Sequence, residues 1–123
     1  MGIRDGRHPV GEYMLTPVDL KNKGKFDDVA FVRKSQLRFK DSKFSGGNGP
    51  RDYDVPYRSF LPKNVDNLLL TGNCLSFNHE MRMKMKGIPM SIRSGEVAGE
   101  AAVLSIKQGI TPKKLKWNKP LTD

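Results

Sequence analysis

The stretch from residue 65 to residue 109 constrains the fold of this chain more than any other part of it. It opens with a short apolar run, Leu68-Leu69-Leu70, that stops at Gly72, and such a run is typical of a strand buried on both faces. A polar loop follows, and then a long helix that we predict to begin near Pro89 and to end at Gly109. This order of strand, glycine turn, loop and helix predicts a mixed α/β fold.

One face of the predicted helix is unusually smooth, because small residues recur along it at spacings of three and four: Gly95, Ala98, Gly99 and Ala102. Each interior glycine costs roughly 1 kcal/mol relative to alanine in a helix. The smooth face therefore predicts close approach by a sheet, by another backbone or by a flat ligand, and helix-on-sheet packing without any ligand remains an equal alternative. The positive end of the helix points back toward the loop after Gly72, where it favours an anion or a polarised carbonyl.

Composition narrows the classes of partner and of site. A hydrophobic content of 37% over 123 residues is lean for a self-sufficient domain, and the formal net charge is +9. This charge predicts an anionic partner (nucleic acid, membrane surface, acidic protein or cofactor), or simply charge balance within a complex. Cys74 is the only cysteine, which excludes a disulfide within the chain and a dithiol redox pair. With no leader-like segment and no run of about 20 apolar residues, we expect a cytoplasmic protein without a membrane span.

Short elements are predicted elsewhere along the chain. Thr16-Pro17 has the residues of a helix start, and Thr111-Pro112 those of a single helical turn. Residues 53–62 contain an alternating stretch and two prolines, Pro56 and Pro62, which indicates an edge or short strand rather than a central one. Further strands are expected near residues 10–14, 29–32 and 36–39. Trp117 is expected to dock the tail, either on this chain or on a partner.

Two stretches carry candidate binding or catalytic residues. Residues 33–50 mix lysine and arginine with Phe39 and Phe44, which suits either single-stranded nucleic acid or a loop that lies on a partner. The loop between Gly72 and Gly87 gathers many polar side chains, and His79 and Glu80 are the candidates for general acid–base chemistry. The alternative for this loop is an exposed charged segment with no catalytic role.

A family resemblance covers most of the chain. VPYRSFLPKNVDNLLLTGNCLSFNHE, followed by GIPMSIRSGEVAGEAAVLSIKQG, resembles the C-terminal part of FAD-dependent oxidoreductases of the glutathione-reductase-like superfamily. The likeness is narrowest to bacterial flavoproteins with a VPYRSLLP element, an AGRC-type turn and a final GQAAG helix. GEYMLTPVDL and KFDDVAFV are similar to the middle region of that group.

The resemblance implies FAD as the cofactor and a wall of the flavin site formed by the strand, the glycine turn and the helix. In such enzymes the start of the helix lies near the pyrimidine edge of the flavin, where negative charge gathers on reduction. The implied cofactor-binding residues are Gly72, Asn73, Ser76, Lys86, Pro89, Met90, Ser91 and Gly95, with His79 and Glu80 as catalytic candidates. Asn73 and Lys86 depart from the group, which usually has arginine after the turn glycine and just before the helix.

The sequence contains no GxGxxG turn, the motif that holds the ADP half of FAD in a dinucleotide-binding fold. The glycine-rich run from Gly46 to Pro50 ends in proline and opens no helix. The chain is thus expected to complete a larger FAD-binding fold, inactive alone, and to share FAD with a Rossmann-type chain, a missing N-terminal part or a second copy. Residues 1–52 are then part of a substrate- or cap-type region with a basic loop, and residues 53–123 are the flavin-wall segment. The alternatives are a basic module that binds nucleic acid or an acidic protein, without sequence specificity for nucleic acid, and an inactive structural fragment.

Overall fold

The computed structural model describes residues 8–21, 25–33, 53–118 and 120–121. These residues form a mixed α/β fold with a two-stranded antiparallel sheet and one long helix near its C-terminal end. The regular elements are α1 (Pro17–Lys21), β1 (Val29–Arg33), β2 (Tyr53–Pro56), α2 (His79–Met85) and α3 (Ile88–Gln108). Two short 3₁₀ turns, at Tyr57–Phe60 and Gly72–Cys74, lie between β2 and α2, and a third, at Pro112–Lys114, follows α3.

α1 begins where the sequence predicts it, after Thr16. The Asp19 carboxylate reaches back to the start of the helix, where its Oδ2 accepts hydrogen bonds from the Thr16 N–H at 2.8 Å and from the Thr16 hydroxyl at 2.9 Å. Its other oxygen accepts from the Tyr13 hydroxyl at 2.7 Å. These bonds satisfy the exposed N–H of the helix start and fix the entry of the chain into α1.

The predicted strand at 29–32 is confirmed as β1, which pairs with β2 in an antiparallel register that places Val32 opposite Asp54. The proline-bracketed stretch 53–62 is a strand only as far as Pro56, because the Tyr57 N–H donates to the Asp28 carbonyl at 2.7 Å and the backbone then tightens into a 3₁₀ turn. The predicted strand at 36–39 lies outside the described residues. The β1–β2 pair joins residues on both sides of the predicted division after residue 52. The division itself stays a prediction.

The predicted strand at residues 10–14 is wrong. Gly11 and Leu15 form only isolated bridges, to Pro62 and to Phe77. Gly11 lies so close to Ser76 that an added Cβ would come within 2.7 Å of the Ser76 Cβ, and its N–H donates to the Ser76 hydroxyl at 2.9 Å. The segment is thus held by single contacts with separate loops, which leaves no room for a regular ladder.

The predicted strand at Leu68–Leu70 is also not formed, although the segment is extended enough for the Leu70 N–H to donate to the Phe60 carbonyl at 2.8 Å. Leu70 is buried, but Leu68 is 48% exposed and so contradicts the expectation of burial on both faces. Within the described ranges no strand lies beside these residues to complete a ladder.

The long helix is confirmed, with α3 beginning at Ile88, one residue before the expected start. Gly109 closes it in the left-handed conformation (φ 63°, ψ 30°), where its N–H donates to the Ile106 carbonyl at 3.1 Å. The buried face of α3 consists of Met90, Ser94, Val97, Ala101 and Ser105. Among the helices that the structure describes, none combines the length and the apolar character needed to cross a bilayer.

An aromatic cluster fills the centre of the core. Tyr57 stacks on Phe60 with ring centroids 6.1 Å apart, and Phe31 meets Phe60 edge-on. Trp117 stacks on the other side of Tyr57 at 5.0 Å, so the tail docks on this chain. The Tyr57 hydroxyl donates to the Pro112 carbonyl at 3.0 Å and so ties the Pro112–Lys114 turn to the core.

Candidate functional site

The turn at Gly72 and the beginning of α3 form one hydrogen-bonded unit. Gly72 has a φ of 55°, a left-handed conformation that favours glycine. Its N–H donates to the hydroxyl of Ser94 at 2.8 Å, and that hydroxyl donates to the Ser91 carbonyl at 3.0 Å. A Cβ added to Gly72 would lie 3.6 Å from the Ser91 hydroxyl, in ordinary van der Waals contact. The sequence predicts that the turn and the helix start are neighbours, and the fully buried Ser94 is the residue that joins them.

Within the described residues, the first turn of α3 keeps backbone donors that have no acceptor. Gly87 precedes the helix and provides no side-chain cap. A helix that began at Pro89, as the sequence predicts, would leave the N–H groups of Met90 and Ser91 unpaired, but the Ser91 N–H donates to the Gly87 carbonyl at 3.2 Å. The reason is that the helix begins one residue earlier than expected. Because Pro89 has no N–H, Ile88 and Met90 supply the donors at this end of the helix.

The polar loop expected between Gly72 and Gly87 contains a helix, α2, that the sequence analysis missed. Asn78 caps it, with its side-chain oxygen accepting from the Met81 N–H at 2.8 Å. Met81 and Met85, four residues apart, are both buried and hold α2 on the core. An asparagine cap followed by two methionines at a spacing of four was the signal that could have revealed this helix.

Arg82, on α2, is a second residue that the sequence analysis did not assign to the site. Its side chain is only 6% exposed, and its Nη1 donates a hydrogen bond to the Asn73 carbonyl. The guanidinium of Arg82 thus fixes the Gly72–Cys74 turn through the Asn73 carbonyl and places a buried positive charge beside this turn. Lys86 ends α2, with its N–H donating to the Arg82 carbonyl at 3.0 Å, and its side chain is half-buried just before α3 begins.

The remaining predicted residues lie in different surroundings. His79 and Glu80 are both exposed in the first turn of α2, about 100° apart around its axis, and therefore do not share a face. Ser76 is fully buried, and its hydroxyl accepts from the Gly11 N–H. Gly95 is exposed about 10 Å along α3 from its start. The structure therefore brings the Gly72–Cys74 turn together with the start of α3. The binding and catalytic roles of all the predicted site residues stay predictions.

The structure also bears on Tyr57, on metal binding and on the basic stretch at residues 33–50. Burial raises the pKa of Tyr57 to about 12, so its hydroxyl stays protonated at neutral pH and serves as the donor to Pro112. Among the described residues no group of three or more His, Cys, Asp or Glu side chains is arranged to hold a metal ion. The basic stretch considered for nucleic acid lies outside the described residues from position 34 to its end.

Comparison with known families decides the class of protein. The family model described as FAD dependent oxidoreductase matches residues 1–121. The chain belongs to the FAD-dependent oxidoreductase family. No curated protein and no solved structure gives a significant match to it. FAD is accordingly the cofactor of this flavoprotein chain.

The residues at the start of α3 fit an anionic, flat cofactor. The helix start is uncapped and offers backbone N–H groups, which favour negative charge. Arg82 donates to the adjoining turn and Lys86 immediately precedes α3, so each brings positive charge to this region. The left-handed Gly72 has no side chain to obstruct the approach to this turn.

Proposed function

We propose that this chain forms one wall of the flavin site of an FAD-dependent oxidoreductase, with the start of α3 and the Gly72 turn beside the pyrimidine edge of the cofactor. The observation that carries the proposal is the bond from the Gly72 N–H to the buried Ser94 hydroxyl, at 2.8 Å. It makes the turn and the helix start one rigid unit. FAD, when bound, takes up electrons or a hydride and passes them on.

The chain's own contribution at this wall is electrostatic. The N–H groups of Ile88 and Met90 and the positive end of the α3 dipole stabilise negative charge in front of the helix. Lys86 adds positive charge on the same side, and Arg82 keeps the Asn73 carbonyl turned back toward α2. His79 and Glu80, exposed at the start of α2, are the proposed proton carriers, acting separately because they do not share a face.

We also propose that the chain acts only together with a dinucleotide-binding part. The sequence has no GxGxxG turn, so it lacks the motif that holds the ADP half of FAD. In this proposal the dinucleotide-binding part holds the ADP half of FAD, and this chain contacts the edge of the flavin. The substrate-binding groups then come from residues 1–52 and from the partner.

The charge at the wall can be tested with Lys86→Met in the assembled, FAD-loaded enzyme. A positive charge at a half-buried helix end contributes on the order of 0.3–2 kcal/mol to nearby negative charge. Since 30 mV corresponds to about 1.4 kcal/mol for a two-electron couple, the midpoint potential should fall by about 6–43 mV. The measurement is a spectroscopic redox titration of the bound cofactor.

Lys107→Met is the matched control, because Lys107 is exposed in the last turn of the same helix, nearly 30 Å from its start. Its removal should leave the potential unchanged. An unchanged potential for Lys86→Met, in an assembly that retains its FAD, would place the flavin away from the start of α3.

A further inference from the structure

An open groove of about 330 Å³ lies beside residues 115–117, which follow the last 3₁₀ turn of the described chain. Its floor consists of the buried side chains of Tyr57, Leu115 and Trp117. A groove of this volume with an aromatic floor falls in the range that small molecules occupy. None of the residues that line it belongs to the Gly72–Cys74 turn or to α3, so it is built from residues other than those of the proposed flavin wall.

The floor of the groove contains a buried hydrogen-bond donor without a partner. Trp117 is 7% exposed, and its indole Nε1–H finds no acceptor among the described residues. The indole ring is stacked on Tyr57 at 5.0 Å with 13° between the ring planes, so it cannot turn toward another acceptor without losing this contact. The Tyr57 hydroxyl, by contrast, already donates to the Pro112 carbonyl. Because an unpaired buried donor is unfavourable, an acceptor brought by a ligand would be stabilised at the indole N–H.

The rim of the groove carries four charged side chains, two of which neutralise each other. The Nε and Nη2 of Arg58 donate to the two carboxylate oxygens of Asp28 at 3.0 and 3.1 Å. Lys116 and Asp27 are exposed, and neither forms an ion pair within the described part of the chain. The rim therefore offers one ammonium group and one carboxylate to a ligand.

We propose that this groove binds an apolar α-amino acid in its zwitterionic form. The carboxylate of the ligand accepts hydrogen bonds from the Lys116 ammonium and the Trp117 indole N–H, and the bond from the charged lysine is of the stronger, charge-assisted kind. The ammonium of the ligand pairs with Asp27, and its apolar side chain packs on Tyr57 and Leu115. The site is independent of the proposed flavin wall.

The charges of the rim favour a zwitterion over a ligand with a single charge. A carboxylic acid without an amino group would bring its negative charge to a rim that already carries Asp27 and Asp28. An amine without a carboxylate would meet the positive charge of Lys116 and would leave the Trp117 indole N–H unpaired. An amino acid avoids both penalties, because it brings one group of each sign.

Trp117 is the only tryptophan of the chain, so its fluorescence and its single indole N–H resonance report directly on the groove. The test titrates the full 123-residue chain with L-phenylalanine, hydrocinnamate and phenethylamine. These probes carry the same ring with both charges, with the carboxylate alone and with the ammonium alone. We expect L-phenylalanine to bind with a dissociation constant of about 1 mM or lower, and each of the others to bind at least about fivefold more weakly. The indole resonance should shift along the same saturation curve.

Two variants separate the groups that would hold the carboxylate. Lys116→Met should weaken the binding of L-phenylalanine about fivefold, because the carboxylate loses its cation. Lys114→Met is the matched control and should leave the affinity within about twofold, since Lys114 is exposed two residues away and does not line the groove. Trp117→Phe keeps an aromatic ring but removes the indole donor, and it should also weaken binding, as measured by isothermal titration calorimetry.

Several results would overturn the proposal: no shift of the indole resonance with L-phenylalanine, binding of phenethylamine or hydrocinnamate as tight as that of L-phenylalanine, or equal binding by Lys116→Met and Lys114→Met. If Trp117→Phe lowers the melting temperature, the two lysine variants decide, because both lysines are exposed and their removal leaves the core unchanged. None of these measurements involves FAD, so their failure would leave the flavin wall untouched.

Discussion

At the scale of single residues, the site depends on side chains whose partners are far away in sequence. Ser94 accepts from Gly72, and Arg82 donates to the Asn73 carbonyl. Neither role could be predicted from the sequence, because a serine within a helix and an arginine in a polar stretch have many equivalent explanations. By contrast, the left-handed cap at Gly109 was predictable, since its cause is local.

Asp19 provides a residue-scale prediction about pH. Burial opposes the charge of its carboxylate, but hydrogen bonds from Tyr13 and Thr16 outweigh that effect and hold the pKa of Asp19 below its usual value of 3.8. A pKa that is lower in the folded state gives stability that is fully present above the unfolded value and is lost as the pH falls through the folded value. Asp19→Ala should therefore lower the free energy of unfolding at pH 7 by about 1 kcal/mol, and by progressively less below about pH 4.

Urea unfolding of the isolated chain at pH 7 and at pH 3 measures this difference. Glu100→Gln, at an exposed position of α3, is the control and should change stability little at either pH. An Asp19→Ala effect of the same size at both values would mean that the carboxylate charge contributes nothing to the hydrogen bonds around α1.

At the scale of elements, the sequence predicted those helices and strands whose signals lie within the element itself. It did not predict features that depend on contacts with residues far away in the sequence. The start of α1, β1 and the full length of α3 follow from caps, β-branched residues and helix-ending glycine, all of which lie within the element. The strand predicted at Leu68–Leu70 failed because a strand needs a neighbour, and the described residues provide none. α2 was missed because its polar residues outnumber its two buried methionines.

The glycines of α3 give a prediction about the stability of this helix. The smooth face was expected to meet a sheet, another backbone or a flat ligand, but among the described residues a Cβ added at Gly95 or Gly99 would meet nothing within 4 Å. Gly95→Ala and Gly99→Ala should each raise the free energy of unfolding of the isolated chain by about 0.5–1 kcal/mol, because alanine is the better helix former. Urea unfolding of the isolated chain checks this.

Gly109→Ala is the matched control with the opposite sign, because Gly109 has a φ of 63° and alanine is strained there. It should lower stability. Lower stability after Gly95→Ala and Gly99→Ala as well would mean that the face of α3 that carries these two glycines is already packed against another part of the chain.

At the scale of the whole molecule, the described residues have a core but present two open elements. The aromatic cluster around Tyr57 belongs to the buried core, whereas Leu68 and the large apolar side chains on one face of α3 (Ile88, Ile92, Val103 and Ile106) are exposed. The lean hydrophobic content and the missing GxGxxG turn predict a chain that completes a larger fold, which stays a prediction. The family match to residues 1–121 agrees with the class of enzyme that the sequence predicted. The sequence could not predict which surfaces are exposed, because the small residues of α3 suit packing within the chain as well as packing against a partner.

The isolated chain should purify colourless and bind FAD only weakly. A dissociation constant of 1 µM corresponds to about 8.2 kcal/mol of binding free energy. The start of α3 and a nearby lysine each contribute on the order of 0.3–1 kcal/mol toward negative charge, and the ADP half of FAD finds no GxGxxG turn in the sequence. The affinity of the isolated chain should therefore be well weaker than about 1 µM. Gel filtration with excess FAD, followed by visible absorbance of the protein peak, measures it. A yellow monomer that retains one FAD per chain would show that the chain holds the ADP half by itself, and the division of the site between two parts would then be wrong.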